Sequence, residues 1–465
     1  MTAVLDSRTT RRGSGAGWLL IATTSAGVVN YGYALVLTHG LAPAQYAAFA
    51  AGQALLMVRA TISGAGIPWI LAREIGKAPH DHERHAIVTT FAFWANLAIG
   101  VVLTALLTGG VLLFGSVQDA AVVACASLVM SVGSTGMGFL QGIGRMEMIA
   151  VLLTLEVLVK AGVGIGLVFF AHLGATGALA GFVAGSIVLL APLPRFRRLI
   201  RPPSWRPAEA TLLRAAIRQT RLQANVAVAA AGDTVLVAAL GLGSTGGGPY
   251  QAASALGRVP LFASNAVSTA VFPQLSRDGS VVRKAAALRS YLLVGALMTS
   301  ALVTLPDEIR SGLFPDTFAT VGRWLPFAAV LGLAIGLLNL CVTFLQADDW
   351  HSGTAAYLTG IVIGYLGLIA VAGATFGVAG LAVGAAGASL LAVVALTLLS
   401  SVRGAVKLLL TSRRTLRDTT GLAALLGVLF LVENPVLWVA VAVAAGLIVL
   451  ATGFPEFSVV RRRTR

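Results

Sequence analysis

Residues 225–277 read NVAVAAAGDTVLVAALGLG (225–243), STGGG (244–248) and PYQAASALGRVPLFASNAVSTAVFPQLSR (249–277), two apolar runs joined by a short loop. Asp233 lies near the middle of the first run, and Arg258 lies in the first half of the second. An ionisable group at bilayer depth costs about 2.5 to 3.5 kcal/mol on insertion scales, so such groups usually face a bundle interior or a watery cavity. The hairpin is therefore a candidate wall of a transport cavity.

The composition is that of a polytopic membrane protein. Hydrophobic residues make up 57% of the 465 residues and charged residues only 11%, and the mean hydropathy is +0.87. These values exclude an ordinary soluble protein and a disordered one. Apolar runs of about 20 residues, enough to cross a hydrocarbon core of about 30 Å, recur along the whole chain. The sequence therefore predicts an all-α membrane protein without a separate soluble domain.

The apolar runs predict about fourteen transmembrane helices, arranged as two pseudo-symmetric six-helix lobes and a C-terminal pair. A cytoplasmic tail at 1–16 precedes the first lobe, 17–200. The predicted spans of that lobe are 17–38, 45–69, 87–108, 119–140, 148–171 and 175–194. A basic cytoplasmic connector at 201–221 then leads to the second lobe, 222–402. Its predicted spans are 222–242, 249–273, 288–305, 323–346, 354–373 and 376–400.

The C-terminal part, 403–455, begins with a basic segment that we expect to be a loop, Arg403 to Arg417. It continues with apolar runs at 420–432 and 436–453, and a basic cytoplasmic tail follows at 456–465. The run 420–432 is short for a span, so a re-entrant or interfacial helix is the alternative there. An outer amphipathic connector is expected between Pro306 and Pro315.

The basic residues support this topology independently. With both termini cytoplasmic, 28 of the 33 Lys and Arg residues fall in inner segments, as the positive-inside rule requires. The location that this favours is a bacterial-type plasma membrane. The net charge of +15 is explained by topology and anionic inner-leaflet lipid, without nucleic acid as a partner.

Part of the chain is repeated. Tyr250 follows Tyr46, and Arg277 follows Arg73, by the same 204 residues, so both ends of one hairpin recur. Secondary transporters often consist of internal repeats and place the substrate where the repeats meet. The recurrence therefore favours two lobes that derive from one duplicated unit.

The ionisable residues inside the predicted spans are the candidates for function, namely Arg59, Glu156, Lys160, Asp233 and Arg258. Glu156 precedes Lys160 by four residues, so the two form either a self-compensating structural pair or part of a substrate site. Arg59 and Arg258 lack such a neighbour on their own helices. Guanidinium keeps its charge at physiological pH and matches phosphate oxygens in pairs, so two arginines in one cavity would bind an anion.

Other polar residues in these spans can support such a site or form helix-packing hydrogen bonds. Asp233 can orient Arg258, accept a proton or bind a coupling cation, and Arg258 can alternatively extend toward a membrane interface. The polar candidates for the same space are Asn30, Tyr31, Gln223, Asn225, Asn265 and Asn339, although helix packing is the commoner role of such groups.

Enzymatic motifs are missing from the sequence. We find no serine elbow, P-loop or dinucleotide fingerprint, and therefore expect neither an enzyme nor a cofactor. The histidines of PHDHERH, residues 79–85, lack a further ligand nearby in sequence, so we expect a solvated inner loop rather than a metal site.

The hairpin residues carry a resemblance to a known family. Asp233, then Gly247-Gly248-Pro249-Tyr250 running into QAASALGR, then FPQLSR, are similar to the seventh and eighth helices of the multidrug/oligosaccharidyl-lipid/polysaccharide exporter superfamily. Within it the chain resembles the polysaccharide-biosynthesis flippases and, more distantly, the lipid II flippase. The likeness covers nearly the whole chain in hydropathy, whereas its specific residues lie at 45–73 and 249–277.

The resemblance implies two six-helix lobes around a V-shaped cavity, with alternating access. It implies that a polyprenyl-pyrophosphate-linked oligosaccharide is flipped from the inner to the outer leaflet, with Arg59 and Arg258 matching the cavity arginines that bind the pyrophosphate. The implied partners are this lipid-linked glycan, membrane lipids, a polysaccharide polymerase and glycosyltransferases. The C-terminal pair resembles that of fourteen-helix members, where it forms a groove for the lipid tail.

Two other functions remain open from the sequence. One is a cation-coupled multidrug antiporter of the same superfamily, in which Asp233 exchanges a proton or Na⁺ for an organic cation. Two arginines in the cavity disfavour it, because they repel cationic drugs. The other is a non-transporting scaffold in cell-envelope assembly, whose buried charges would be satisfied internally.

Overall fold

A computed structural model describes residues 25–78, 80–203, 207–348 and 352–453, and all regular elements in these ranges are helices. The chain forms two compact units, Met1–Ala227 and Val228–Arg465. In the described residues, nine helices are long and apolar enough to cross a membrane. The prediction of an all-α, multi-pass membrane protein is therefore confirmed, while the count of fourteen spans stays a prediction.

The first unit contains eight helices and the beginning of a ninth. They are α1 (25–40), α2 (Pro43–Ala65), α3 (Ile67–Lys77), α4 (His82–Leu112), α5 (Val117–Gly142), α6 (Met146–Phe169), α7 (Gly174–Val188), α8 (Leu193–Phe196) and α9 (Pro207–Ala239). The predicted span 45–69 is broken at Gly66, where the backbone leaves helical geometry. Pro68 follows two residues later, and a proline cannot donate the backbone hydrogen bond that would continue the helix.

The second unit contains the remainder of α9 and nine further helices. They are α10 (Gly247–Gly257), α11 (Val259–Asp278), α12 (Val281–Val303), α13 (Asp307–Leu313), α14 (Val321–Ala347), α15 (Ser352–Leu396), α16 (Ser400–Thr411), α17 (Arg413–Leu431) and α18 (Pro435–Gly453). α9 begins at Pro207, so the predicted basic connector 201–221 is largely helical. Its exposed basic residues and its apolar residues share one continuous helix.

The longest helical segment, α15, is a hairpin of two helices. Gly377 lies within it in a left-handed conformation with φ 64° and ψ −149°, which glycine adopts without strain. A methyl group on Gly380 would lie 2.1 Å from the carbonyl oxygen of Ala372, and Tyr357 donates to the carbonyl oxygen of Ala395 at 2.9 Å. These contacts show that the chain reverses here, between the two spans predicted at 354–373 and 376–400.

The C-terminal part differs from the sequence expectation. The segment expected as a basic loop contains α16, whose Val402, Ala405 and Leu409 are buried. This spacing places an apolar stripe on one side of a helix, and packing of that stripe stabilises a helix that basic composition alone does not reveal. α17 begins at Arg413, and its 19 residues extend about 28 Å at 1.5 Å per residue, close to a bilayer core.

Candidate functional site

The centre of the candidate site is a helix break in the second unit. Helix α10 ends at Gly257 and α11 begins at Val259, which leaves Arg258 between them in a non-helical conformation. Pro260 follows and lacks the N–H that would continue the hydrogen-bond ladder. A methyl group on Gly332 of α14 would lie 1.8 Å from the carbonyl oxygen of Gly257, so the two backbones touch next to Arg258. The break is therefore fixed by close packing.

Asp233 of α9 faces this break and is completely buried. Its Oδ2 atom accepts hydrogen bonds from the hydroxyl of Tyr250 at 3.0 Å and from Ser254 Oγ at 2.7 Å. Its Oδ1 atom accepts from Arg258 Nη2 at 2.7 Å and forms an ion pair with it. A buried carboxylate requires such donors, because an unpaired charge inside a protein is costly.

The three donors follow each other at intervals of four residues. Tyr250, Ser254 and Arg258 therefore lie on one side of α10 and its end. The sequence singled out Asp233 and Arg258, and the structure brings them together. It did not single out Ser254, although the four-residue spacing from Arg258 was a signal that would have found it.

Arg258 is held on one side and open on the other. Its Nη2 atom also donates to Thr234 Oγ1 at 2.5 Å, whereas Nε and Nη1 have no hydrogen-bond partner among the described residues. The side chain is 24% exposed. Arg258 thus combines a buried counter-ion with a free edge of the guanidinium group, Nε and Nη1, that makes no hydrogen bond to the described residues, on a side chain that is partly exposed.

Two buried oxygen atoms near Asp233 have no hydrogen-bond partner in the described part of the chain. Gln251 donates its amide to the carbonyl oxygen of Thr234 at 2.8 Å, but its Oε1 atom has no donor among the described residues. The hydroxyl of Tyr365, on the first arm of α15, is likewise without a partner, and the residue is 3% exposed. The Tyr365 ring packs at Gly232, where a methyl group would lie 3.6 Å from its Cε1 atom.

Arg59 occupies the interior of the first unit, where it is 1% exposed. Its Nε atom donates to Ser127 Oγ at 3.0 Å and its Nη2 atom donates to Ser131 Oγ. Within the described ranges no carboxylate lies at ion-pair distance, and the polar partners are neutral hydroxyls of α5. Arg59 is therefore a covered cation with an uncompensated charge.

Glu156, Lys160 and Asn30 form a second cluster in the first unit. Lys160 Nζ donates to Asn30 Oδ1 at 2.5 Å and lies 3.9 Å from Glu156 Oε1, as the four-residue spacing predicts. The ammonium group also lies 4.7 Å from the centre of the Phe182 ring. Lys160 is 1% exposed, so in this conformation its charge is satisfied inside the unit.

The remaining predicted site residues are Tyr31, Asn225 and Asn265. Tyr31 on α1 is partly buried, and Asn225 donates to the carbonyl oxygen of Arg221 on its own helix at 2.8 Å. Asn265 on α11 accepts a hydrogen bond from Asn339 at 2.9 Å, and Asn339 also donates to Ser264 at 3.1 Å. Within the second unit, the hydrogen bonds that Arg258 makes to described residues do not include one to Asn265.

Arg59, Lys160, Glu156, Asn30, Tyr31 and Asn225 belong to the first unit, and Asp233, Arg258 and Asn265 belong to the second. Sequence reasoning missed the hydroxyl groups of Ser127, Ser131 and Tyr365. The four-residue spacing of Ser127 and Ser131 places both on one side of α5, but serine and tyrosine are common in apolar helices and no local pattern shows that Arg59 meets these two serines. The parts of the chain that the structure describes hold no cluster of three His, Cys, Asp or Glu residues suited to a metal ion.

Comparisons with known proteins agree with this architecture. The family described as "Polysaccharide biosynthesis protein" matches residues 13–278. Among curated proteins none matches the chain at a significant level. The solved structure of the lipid II flippase MurJ, in an inward closed conformation, is similar with a TM-score of 0.71 and 14% identity, over 96% of this chain and 99% of that one.

Two structures of a multidrug resistance MATE family transporter of the MOP superfamily are also similar. The inward-facing one has a TM-score of 0.61 at 14% identity, over 86% of this chain and 95% of that one. The outward-facing one has a TM-score of 0.57 at 18% identity, over 86% and 97% respectively. At these identities the structural likeness shows the fold, which is that of the transporters and flippases of this superfamily.

Proposed function

This chain belongs to the polysaccharide biosynthesis protein family and has the fold of MOP-superfamily transporters and flippases, and we propose from that premise that it is a flippase for a lipid-linked oligosaccharide. The substrate is a polyprenyl-pyrophosphate-linked precursor of a surface polysaccharide, and it passes from the inner to the outer leaflet by alternating access. One observation carries the proposal. A guanidinium group with a free edge, Arg258, stands at a helix break between apolar runs.

The chemistry of that group favours a phosphate ligand. A guanidinium group presents N–H donors in a planar fork that binds phosphate oxygens in pairs, and it stays protonated in proteins. Arg258 uses only Nη2 for its protein partners, so Nε and Nη1 are available as one side of the fork. Interrupted membrane helices are also where secondary transporters place charged substrates.

Arg59 is the second phosphate ligand of the proposal, and it acts in another conformation. Here it is covered by Ser127 and Ser131. Because both partners are neutral, phosphate oxygens can replace them without separating an ion pair, and the exchange would neutralise a buried charge. Lys160 is a further phosphate-binding residue of the proposal in the same unit. In the present conformation Glu156 is its counter-ion and Asn30 is its hydrogen-bond acceptor.

The membrane potential would drive transport in the proposed direction. Moving one elementary charge across the membrane is worth about 2.3 kcal/mol per 100 mV. A pyrophosphate diester carries negative charge, so its export from a negative interior is favoured. The protein would sit in the plasma membrane with both termini inside, receive its substrate from glycosyltransferases and deliver it to a polysaccharide polymerase.

A cation antiporter is the rival function, and the contacts of Asp233 disfavour it. Its Oδ1 atom is engaged by Arg258 and its Oδ2 atom by two hydroxyls. An organic cation at Asp233 would therefore lie against a guanidinium group that repels it. The antiporter predicts that replacement of Asp233 abolishes transport of a cationic drug, whereas the flippase predicts no drug transport at all.

The test is a reconstituted flipping assay. Purified protein in liposomes would receive a polyprenyl-pyrophosphate-linked fluorescent disaccharide, and exposure of the label to a membrane-impermeant quencher reports translocation. Arg258→Gln should reduce the rate at least tenfold, since one lost charged contact to phosphate is worth about 1.5 to 3 kcal/mol. Arg289→Gln is the matched control, because Arg289 forms an ion pair with Asp418 in the same unit at 2.6 Å.

If Arg258→Gln flipped the substrate at the rate of the wild-type protein, the proposed contact between Arg258 and phosphate would be refuted. If the folded wild-type protein did not flip the substrate even under an imposed membrane potential, the result would favour a non-transporting scaffold in cell-envelope assembly. In cells, loss of the protein should cause the lipid-linked glycan to accumulate on the inner leaflet. Unchanged amounts of surface polysaccharide after deletion would contradict the proposal as a whole.

A further inference from the structure

We propose that Asp233 and Tyr365 form an exchange switch that sets how tightly Arg258 holds a pyrophosphate headgroup, an inference that rests on the proposed function. In the state described here, Asp233 is the counter-ion of Arg258. When a headgroup engages Arg258, the guanidinium group leaves Oδ1, and the Tyr365 hydroxyl then donates to the freed oxygen.

The first observation is that the two carboxylate oxygens of Asp233 have different hydrogen-bond donors. Oδ2 is held by Tyr250 and Ser254, at 3.0 and 2.7 Å, and neither contact involves Arg258. Oδ1 depends on Arg258 at 2.7 Å, with Thr234 Oγ1 farther away at 3.4 Å. Asp233 therefore stays anchored through Oδ2 when Arg258 moves, and only Oδ1 loses its charged donor.

The second observation is the unused hydroxyl of Tyr365. It is buried, has no partner among the described residues, and its ring packs at Gly232, the residue that precedes Asp233. A buried hydroxyl without a hydrogen bond costs free energy, and an unsatisfied group of this kind needs an explanation. A donor that is idle while Arg258 occupies Oδ1, and is engaged once Oδ1 is free, provides one.

The third observation is that Arg258 lies where its side chain can turn, as the exchange requires. Arg258 lies at the break between α10 and α11 and is partly exposed, whereas Asp233, Tyr250 and Tyr365 are buried in helices. The guanidinium group can therefore turn toward a ligand while Asp233 stays anchored through Oδ2, and the exchange requires the Tyr365 side chain to move toward the freed Oδ1. Close packing of Gly257 against Gly332 fixes the backbone about which it turns.

The consequence of this arrangement is that Arg258 binds the pyrophosphate headgroup weakly. A phosphate must compete with Asp233 for Arg258, so the carboxylate lowers the affinity of the headgroup and accelerates its release. A carrier needs this property, because binding that is too tight stops turnover just as surely as binding that is too weak. Asp233 is thus a positioning residue that acts through Arg258 without contacting the substrate.

The test measures binding of inorganic pyrophosphate and of farnesyl pyrophosphate to the full-length protein in nanodiscs, by calorimetry at fixed ionic strength. Asp233→Asn keeps the shape and removes the competing charge, so it should bind both probes about tenfold more tightly while flipping more slowly. Tyr365→Phe removes only the idle hydroxyl and should bind both about three- to tenfold more weakly.

Matched controls exist for both variants. Asp119→Asn alters another buried carboxylate, which Thr176 and Ser116 hold in the first unit. Tyr291→Phe alters another buried tyrosine of the second unit, whose hydroxyl donates to the carbonyl oxygen of Leu333 at 2.9 Å. Both should leave pyrophosphate affinity within about twofold of the wild type, which is within normal variation for distant sites.

The double variant sharpens the result. In the Asp233→Asn background, Tyr365→Phe should weaken binding less than it does alone, because a neutral amide oxygen gains less from a donor than a carboxylate does. Additive effects, or unchanged affinity in Asp233→Asn and Tyr365→Phe, would overturn the switch. If Arg258→Gln bound pyrophosphate with the affinity of the wild type, the phosphate contact on which the proposed function rests would be refuted. That conclusion would hold whatever Asp233→Asn and Tyr365→Phe did.

Discussion

Arg59 lies within an apolar helix and Arg258 lies at a break between two others, and their surroundings are opposite in kind. Arg59 is 1% exposed and donates to the neutral hydroxyls of Ser127 and Ser131. The Arg258 side chain is 24% exposed and pairs with a buried carboxylate. One is therefore covered but electrically uncompensated, and the other is compensated but accessible.

The difference shows that burial and neutralisation are separate properties of an intramembrane charge. The ion pair with Asp233 lowers the free-energy cost of partly burying the Arg258 charge. It also leaves one edge of the guanidinium group free for a ligand. Hydroxyl partners accept hydrogen bonds from Nε and Nη2 of Arg59 but leave its charge uncompensated, which is costly where water is excluded. The two sites should therefore respond in different ways when the same kind of atom is removed.

The largest effect is expected at the ion pair. Asp233→Ala leaves the Arg258 charge, Tyr250 and Ser254 without their shared acceptor, so it should destabilise the protein by about 3 to 5 kcal/mol. The double variant Asp233→Ala with Arg258→Met should recover most of that loss. Thermal unfolding of purified protein in detergent measures both, and a single variant as stable as the wild type would show that the pair contributes little.

Replacement of the hydroxyl partners of Arg59 should come next. Ser131→Ala leaves a buried guanidinium N–H without an acceptor, at a cost of about 1 to 3 kcal/mol. Arg59→Met removes the charge together with its need for acceptors, and should be close to neutral for stability while flipping is lost. Equal destabilisation by both variants would indicate that Arg59 is a structural residue.

The close contact beside Arg258 offers a test of similar or slightly smaller size. Gly332→Ala places a methyl group 1.8 Å from the carbonyl oxygen of Gly257, and overpacking of this kind costs about 1 to 3 kcal/mol. Because the break then shifts, the rate of flipping should fall as well. Gly360→Ala is the control, since a methyl group there meets no atom within 4 Å.

The smallest effect is expected at Asn265. This exposed residue accepts one hydrogen bond from Asn339, and Asn339 keeps its contact with Ser264 when Asn265 is replaced. Asn265→Ala should therefore cost about 0.5 to 1 kcal/mol and leave flipping unchanged. A strong loss of flipping without a loss of stability would move Asn265 from helix packing to the substrate site.

Much of the fold follows from local pattern. Apolar runs of the length of a bilayer predicted the helices, and the four-residue spacing of Glu156 and Lys160 predicted their pairing, because one helical turn decides it. The helical state of 403–411 was not predicted. Its stability comes from Val402, Ala405 and Leu409 packing on other helices, and a basic sequence does not show what its apolar residues will meet.

The sequence by itself determined that this chain is a multi-pass helical membrane protein, and that Asp233 and Arg258 lie on adjacent apolar runs. Composition and period carry that information because each helix must satisfy its own backbone inside lipid. Only the tertiary structure decided that Arg258 keeps a free edge, that Ser127 and Ser131 cover Arg59, and that Tyr365 points an unused hydroxyl into the interior. Those outcomes depend on contacts between helices far apart in the chain, where side-chain packing, and no local periodicity, selects the partner.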